Sequence, residues 1–253
     1  MAGSTLRGDV FRIRARPSPI AIIIPALNEE AALAPMLDGL RAALDAAACA
    51  DADIVVVDNG SSDATAAVAR KQGARVVREP RRGYGQACLA GIAALSPSTH
   101  IVIFLDADGS DDPEDLVRLL APVREGEADL VLGSRTVAAN TSGSFTPQQA
   151  FGNWLATALM RLFFGARYTD LGPFRVIRRE ALDRLQMRDK NFGWTIEMQI
   201  KAHRAGLRVL EMPVNYRRRI AGESKISGSF MGTLRAGWKI LWTIAKHGLS
   251  SPQ

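Results

Sequence analysis

The 253-residue chain is poor in the features that usually announce a chemistry. It has two cysteines, Cys49 and Cys88, which form no Cys-x-x-Cys pair. They read as core thiols in a reducing compartment, which excludes a disulfide-stapled secreted fold. The three histidines, His100, His203 and His247, have no metal-ligand spacing. No uncharged run is long enough to cross a bilayer. The start carries Arg7, Asp9, Arg12, Arg14 and Arg16 without the apolar stretch of a secretory signal. Internal repeats and low-complexity linkers are missing. Gly83-Tyr84-Gly85 has neither the third glycine nor the first-strand position of a dinucleotide fingerprint. What is left is an ordinary globular composition, 47% hydrophobic and 23% charged, in a length that suits one large α/β domain. The net charge of +6 suits an acidic partner and does not choose among nucleotide phosphates, anionic lipid and nucleic acid.

The first half alternates strand and helix. Residues 1–18 read as a polar, basic tail. Ile20 to Ile24 is a buried strand that Pro25 stops, and Asn28 caps a helix from Glu29 to about Ala47. Ile54 to Val57 is the next strand, ending at Asp58. Ser62 caps a second helix that Gly73 ends. Arg75 to Val77 is a short strand, and Gly83-Tyr84-Gly85 opens a third helix with a turn that lets backbone approach a ligand closely. Such alternation implies right-handed crossovers and a mostly parallel sheet. Residues 138–149 form the one turn-rich stretch and read as a mobile surface loop.

The densest signal is Ile101-Val102-Ile103-Phe104-Leu105-Asp106-Ala107-Asp108-Gly109-Ser110. A β-branched apolar run is a buried strand, and its carboxyl end is where α/β sheets place ligands. Two carboxylates there, spaced i, i+2, ask for a cation. Mg²⁺ or Mn²⁺ is the oxygen-preferring choice, with a phosphate completing the shell. Asp112-Pro113-Glu114-Asp115 then starts a helix, with Asp as cap and Pro at its first position. A further strand ends at Gly133-Ser134-Arg135. In a parallel sheet, the ends at Pro25–Glu29, Asp58–Ser61 and Asp106–Asp108 share one edge and line one crevice.

The order of PALNEE (25–30), VVVDNGSSDAT (55–65), RGYGQA (82–87), LDADGSDDPED (105–115) and GSR (133–135) resembles the family-2 inverting glycosyltransferases. TDLGPFRVI (169–177), GWTIEMQIKAHRAG (193–206) and PVNYRRRIAGESKISG (213–228) resemble the polyprenyl-phosphate hexose synthases among them. The resemblance spans roughly residues 19–228. It implies the GT-A fold, an α/β architecture whose mostly parallel sheet has a Rossmann-like nucleotide-binding half. Pro25, Leu27 and Glu29 would flank the nucleoside, and Asp58 would hold the base or ribose. Asp106, Ala107 and Asp108 would meet the diphosphate of the sugar nucleotide, with Asp106 and Asp108 on the metal. Arg135 would meet the acceptor phosphate, and Arg219 and Lys225 would grip phosphate from a closing loop beside Gly222. Departures are Leu27 where relatives often carry an aromatic and Ser110 where several carry a longer amide.

The implied reaction moves a hexose from GDP-mannose or UDP-glucose to a polyprenyl phosphate. That acceptor is already an anion, so no strong general base is needed, and single displacement inverts the anomeric centre. Positioning and electrostatics would carry the rate. Arg217 and Arg218 read as a solvated strand end. Glu197 is either a buried structural acid or an orienting one. Residues 229–248 fit a helix with Met231, Leu234, Trp238 and Leu241 on one face and Arg235, Lys239 and Lys246 at its edge. That pattern suits either a membrane interface or a core contact. Segment 150–164 is a second candidate, for lipid or for a second copy in a homo-oligomer. The expectation is a cytoplasmic protein, peripheral on the inner membrane face, with no nucleic-acid partner. The alternatives are a soluble or glycan acceptor, a haloacid-dehalogenase-type phosphatase with Asp106 as nucleophile, and a non-catalytic nucleotide-sugar sensor.

Overall fold

The computed structural model describes residues 18–136, 147–217 and 219. Most of the 1–18 tail, residues 138–146 of the expected loop, Arg218, Gly222, Lys225 and the 229–253 helix lie outside the described residues.

Strand β1 (Ile20–Ala26) is apolar throughout because helices cover both faces of the sheet. Helix α1 (Glu30–Ala46) turns Leu33, Met36, Leu37, Leu40 and Leu44 inward at helical spacing. Then come β2 (Asp53–Asp58), α2 (Thr65–Lys71), β3 (Arg75–Arg78), α3 (Tyr84–Ala93) and β4 (Ile101–Phe104). Strands β3, β2, β1 and β4 are parallel and adjacent in that order. A 3-10 turn at Pro113–Asp115, capped by the Asp112 side chain on the Glu114 N–H, leads into α4 (Leu116–Arg124). Strand β5 is Leu130–Ser134, α5 is Pro147–Phe164, β6 is Arg175–Arg178, α6 is Arg179–Leu185, α7 is Trp194–Arg204 and β7 is Val209–Pro213.

The seven-stranded order is β3-β2-β1-β4-β6-β5-β7. One core layer packs α1, α2 and α4 on one face. Another packs α3, α6 and α7 on the other, and a small cluster joins α5 to α7 through Ala156, Met160, Ile196 and Ile200.

Several local expectations give way to tertiary contacts. Pro25 does not stop β1, which runs on to Ala26 with Pro25 in register with Val57. Strand β4 pairs with β1 only as far as Ile23, so beyond it one side of β1 has no ladder to supply and a missing N–H costs little there. Asn28 does not cap α1 but sits at φ 54°, its side chain accepting from the Ser62 N–H at 2.8 Å. Ser62 is thereby taken from its expected cap, and Asp63 instead accepts from the Thr65 N–H at 3.0 Å. Residues 147–149, expected in the loop, are the first turn of α5. Strand β6 was not expected at all. It runs antiparallel to both β4 and β5 and fills the slot between them.

Candidate active site

The carboxyl ends of β1, β2 and β4 meet at one sheet edge, as their parallel pairing requires. Their loops are tied together by hydrogen bonds. The Asn28 N–H donates to Ser61 Oγ at 3.0 Å, and the Glu29 N–H to Thr65 Oγ1 at 2.8 Å. Asp58 is buried and accepts from the Ser61 N–H at 2.9 Å, with Arg78 Nε 3.9 Å away. Pro25 and Leu27 are half-buried beside it, and Glu29 is buried.

Asp106, Ala107 and Asp108 follow β4 directly. Asp108 is buried, and its Oδ1 accepts from the Ser110 N–H at 2.9 Å and the Ser110 hydroxyl at 2.6 Å. Its Oδ2 meets Arg219 Nη2 at 2.8 Å, while Arg219 Nη1 lies 3.7 Å from Glu29 Oε1. Asp106 Oδ1 is sealed from solvent with no hydrogen-bond partner, and so are both oxygens of Asp111. Burial and the adjacent Asp108 charge push the Asp106 carboxyl up to about 7, against the pull of Arg219. Burial, then Asp106 and Asp108, pushes Asp111 well above the carboxylate range. Residues 214–217 strap this turn: Arg217 N–H donates to Ser110 O at 2.8 Å, and Tyr216 bridges Asp111.

Unpartnered, crowded carboxylate oxygens are the donor set of a hard divalent cation, so the residues present fit Mg²⁺ or Mn²⁺. Among the described residues, no group of three or more His, Cys, Asp or Glu side chains forms a metal cage. An ion held by Asp106 and Asp108 would therefore draw the rest of its shell from water or a ligand's phosphates.

Arg135 follows β5 across the crevice. Its Nε and Nη2 each meet the Asp170 carboxylate at 2.8 Å, and its backbone N–H donates to the same group. This bidentate pair holds the Asp170 carboxyl below its usual range despite burial. Glu211 on β7 in turn accepts from the N–H groups of Thr169 and Asp170. The Tyr216 ring stacks 5.0 Å from the guanidinium.

The structure thus gathers Pro25, Leu27, Glu29, Asp58, Asp106, Ala107, Asp108 and Arg219 at one edge, with Arg135 beyond β6. Arg217 does not simply stand in solvent, since its exposed side chain pairs with Asp112 at 2.5 Å. Asp111 and Asp170 were not singled out from the sequence. Asp170 sits inside a quoted motif, but its partner is 35 residues away. The Gly83-Tyr84-Gly85 turn packs closely against the protein's own backbone. A Cβ on Gly83 or Gly85 would lie 2.2 or 2.1 Å from the carbonyl oxygen of Lys190 or Asp189. Glu197 fixes that 188–190 segment by accepting from the N–H groups of Arg188 and Asp189. It is a buried structural acid with Lys201 as counter-ion at 2.6 Å.

Residues 21–186 match the family described as Glycosyl transferase family 2. An uncharacterized glycosyltransferase of Mycobacterium tuberculosis is 39% identical over 225 residues, covering 88% of this chain and 97% of its own. The undecaprenyl-phosphate mannosyltransferase of Micrococcus luteus is 32% identical over 224 residues, covering 84% and 89%. Among solved structures, glucosyl-3-phosphoglycerate synthase of Mycobacterium tuberculosis, in complex with Mn²⁺, uridine-diphosphate and phosphoglyceric acid, superposes with a TM-score of 0.73. Its identity is 23%, over 92% of this chain and 80% of that one, a likeness of fold.

Proposed function

Since this chain belongs to glycosyl transferase family 2 and has its GT-A fold, we propose that it transfers a hexose from a nucleotide-diphosphate sugar to a polyprenyl phosphate. The observation that carries the reading is the pairing of two sites across one edge. Carboxylate oxygens of Asp106 and Asp111 lack any partner beside Asp108, and a pre-oriented guanidinium, Arg135, stands opposite. A relative named for undecaprenyl-phosphate mannosyl transfer supports the lipid-phosphate acceptor.

In this reading Pro25, Leu27 and Glu29 flank the nucleoside and Asp58 binds base or ribose. Asp106 and Asp108 hold the divalent ion, which neutralises the leaving diphosphate when bound. Ser110 fixes Asp108 by two hydrogen bonds. Arg219 pairs with Asp108 at 2.8 Å and would be the cation available to the diphosphate once Asp108 took up the ion. Arg135 receives the acceptor phosphate, and Asp170 keeps its fork in one orientation. Lys225, which lies outside the described residues, would add a second cation. An acceptor that arrives as an anion attacks the anomeric carbon without a side-chain base, so inversion follows from a single displacement.

A peripheral membrane position is part of the proposal. Helix α5 exposes Phe151, Trp154 and Leu162 at helical spacing, with Phe163 beside them. No helix among the described residues is long and apolar enough to cross a membrane. The decisive assay pairs GDP-mannose or UDP-glucose with a polyprenyl phosphate, with and without Mn²⁺. Glycosyl-lipid formed only with the metal is the expected result. Faster turnover of a water-soluble phosphate acceptor would replace the lipid reading.

A further inference from the structure

Asp106, Asp108 and Asp111 share one turn and are not treated alike. Asp106 Oδ1 and both oxygens of Asp111 have no hydrogen-bond partner, whereas each oxygen of Asp108 is met. Its Oδ1 takes the Ser110 N–H and the Ser110 hydroxyl, and its Oδ2 faces Arg219 Nη2 at 2.8 Å. The Asp108 side chain is 4% exposed and that of Arg219 is 29% exposed. Their pair is therefore partly shielded from the water and salt that weaken surface ion pairs. Arg219 Nη1 lies 3.7 Å from Glu29 Oε1, so one guanidinium sits between an acid assigned to the metal and one assigned to the nucleoside.

The chain that carries Arg219 is fastened to the same turn. The Asn215 N–H donates to Asp115 Oδ2 at 2.5 Å, and Asn215 O accepts from the Asp112 N–H at 3.3 Å. The Arg217 N–H donates to Ser110 O at 2.8 Å, and the Arg217 side chain meets Asp112. With residues 215–217 pinned, Arg219 is two residues from a fixed point and keeps Asp108 within reach. A guanidinium there supplies what a divalent ion would supply, an opposite charge on Oδ2. An ion and a guanidinium on that one oxygen would repel each other.

We propose that Arg219 stands in for the divalent ion at Asp108, and that the ion gains this carboxylate only by displacing it. The inference rests on the metal reading of Asp106 and Asp108 given above. Two consequences go beyond that reading. Without nucleotide the ion binds weakly, because an existing ion pair must break first. A nucleoside diphosphate then satisfies the released guanidinium, so ion and nucleotide strengthen each other's binding by the same factor. Arg219 is thus a residue that sets how strongly the two are coupled, and not only a cation for the diphosphate.

Mn²⁺ titrated into the full chain without nucleotide, and read from the electron paramagnetic resonance of the free ion, tests this. Arg219→Gln should bind Mn²⁺ about threefold more tightly than wild type, or better. Arg217→Gln, which breaks a neighbouring pair on the same strap, should leave Mn²⁺ affinity unchanged. GDP or UDP should tighten Mn²⁺ binding in wild type, and by a smaller factor in Arg219→Gln. A further readout needs no variant: Mg²⁺ should shift the Arg219 Nε–H resonance of isotope-labelled wild type. Equal or weaker Mn²⁺ binding in Arg219→Gln, or an unmoved Arg219 resonance while Mg²⁺ binds, would overturn the proposal and leave the metal site standing. No Mn²⁺ binding in either protein would overturn the metal reading and this proposal with it.

Discussion

Along β3-β2-β1-β4, carboxylates reach the crevice with oxygens that nothing in the protein satisfies. Along β6-β5-β7, the guanidinium of Arg135 arrives with its partners in place. The first half is parallel and its loops are mutually laced, yet its charge is left open. Burial and the crowding of like charges raise Asp106 and Asp111 further than Arg219 and Arg135 pull them down. In the second half Asp170 neutralises Arg135, and Glu211 holds Asp170. The contrast teaches which partner must be brought in. On the proposed reading, the parallel half would wait for an ion and a diphosphate, whereas the pre-organised mixed half would need only its acceptor.

The strongest way to break this contrast is Asp108→Ala. Loss of a metal carboxylate should remove several kcal/mol of transition-state stabilisation, lowering turnover by about a thousandfold or more. Donor affinity in Mn²⁺ buffer, read by calorimetry, should fall with it. Near-normal turnover would mean that the open carboxylates serve no ion.

Arg135→Ala should act on the other half alone. Removing one partner of a buried charge pair costs about 2–5 kcal/mol where it is used, and here it should appear in acceptor KM and in turnover. Donor affinity should stay within about twofold, as its ligands lie on the other side of β6. Asp170→Asn should give a milder copy of the same phenotype, since arginine keeps its charge but loses its bidentate frame. Equal loss of donor affinity in both variants would erase the division between halves.

Gly85→Ala sharpens the comparison by disturbing the join without touching charge. Its Cβ would meet Asp189 O at 2.1 Å, and overpacking of this kind costs about 1–3 kcal/mol. Thermal melting should show the loss, while Mn²⁺ affinity per folded molecule should change little.

The smallest effect is in pH. Asp106 titrates near 7 in the folded protein and near the ordinary 3.8 when unfolded. Between those values the folded state binds the extra proton, so the metal-free protein should lose stability as pH rises from about 4 towards 7 and level off above. Mn²⁺ should reverse the trend, because it replaces that proton. Melting curves at intervals from pH 5 to 8, with and without Mn²⁺, would read this. A metal-free protein that gains stability across that range would contradict a carboxylate raised by burial.

The parallel half was legible in the sequence, because period and punctuation act locally. Apolar runs gave β1, β2 and β4, Gly73 with φ 68° ended α2, and Asp112 capped the turn before α4. What escaped depends on distant chain. Strand β6 is four residues long and lies between strands that precede it. Asn28 and Ser62 look like caps until their loops meet. Asp111 looks like one more acid in a polar turn, and only the fold shows that both its oxygens are shut in. Gly83 and Gly85 look only like room for a ligand until the fold brings the 189–190 carbonyls against them.

The insertion of β6 has a consequence in time. Strand β4 is flanked by β1 from the start, but its other edge waits for a partner made about 70 residues later. At about 5–20 residues per second, synthesis leaves that edge open for on the order of 4–14 s. Its sequence, Ile-Val-Ile-Phe, is among the most adhesive in the chain, and an unpaired apolar edge is a template for wrong partners. The strand that delivers the two carboxylates is therefore also one with an edge open to wrong partners during synthesis, and conditions that slow translation between residues 105 and 175 should lower the soluble yield.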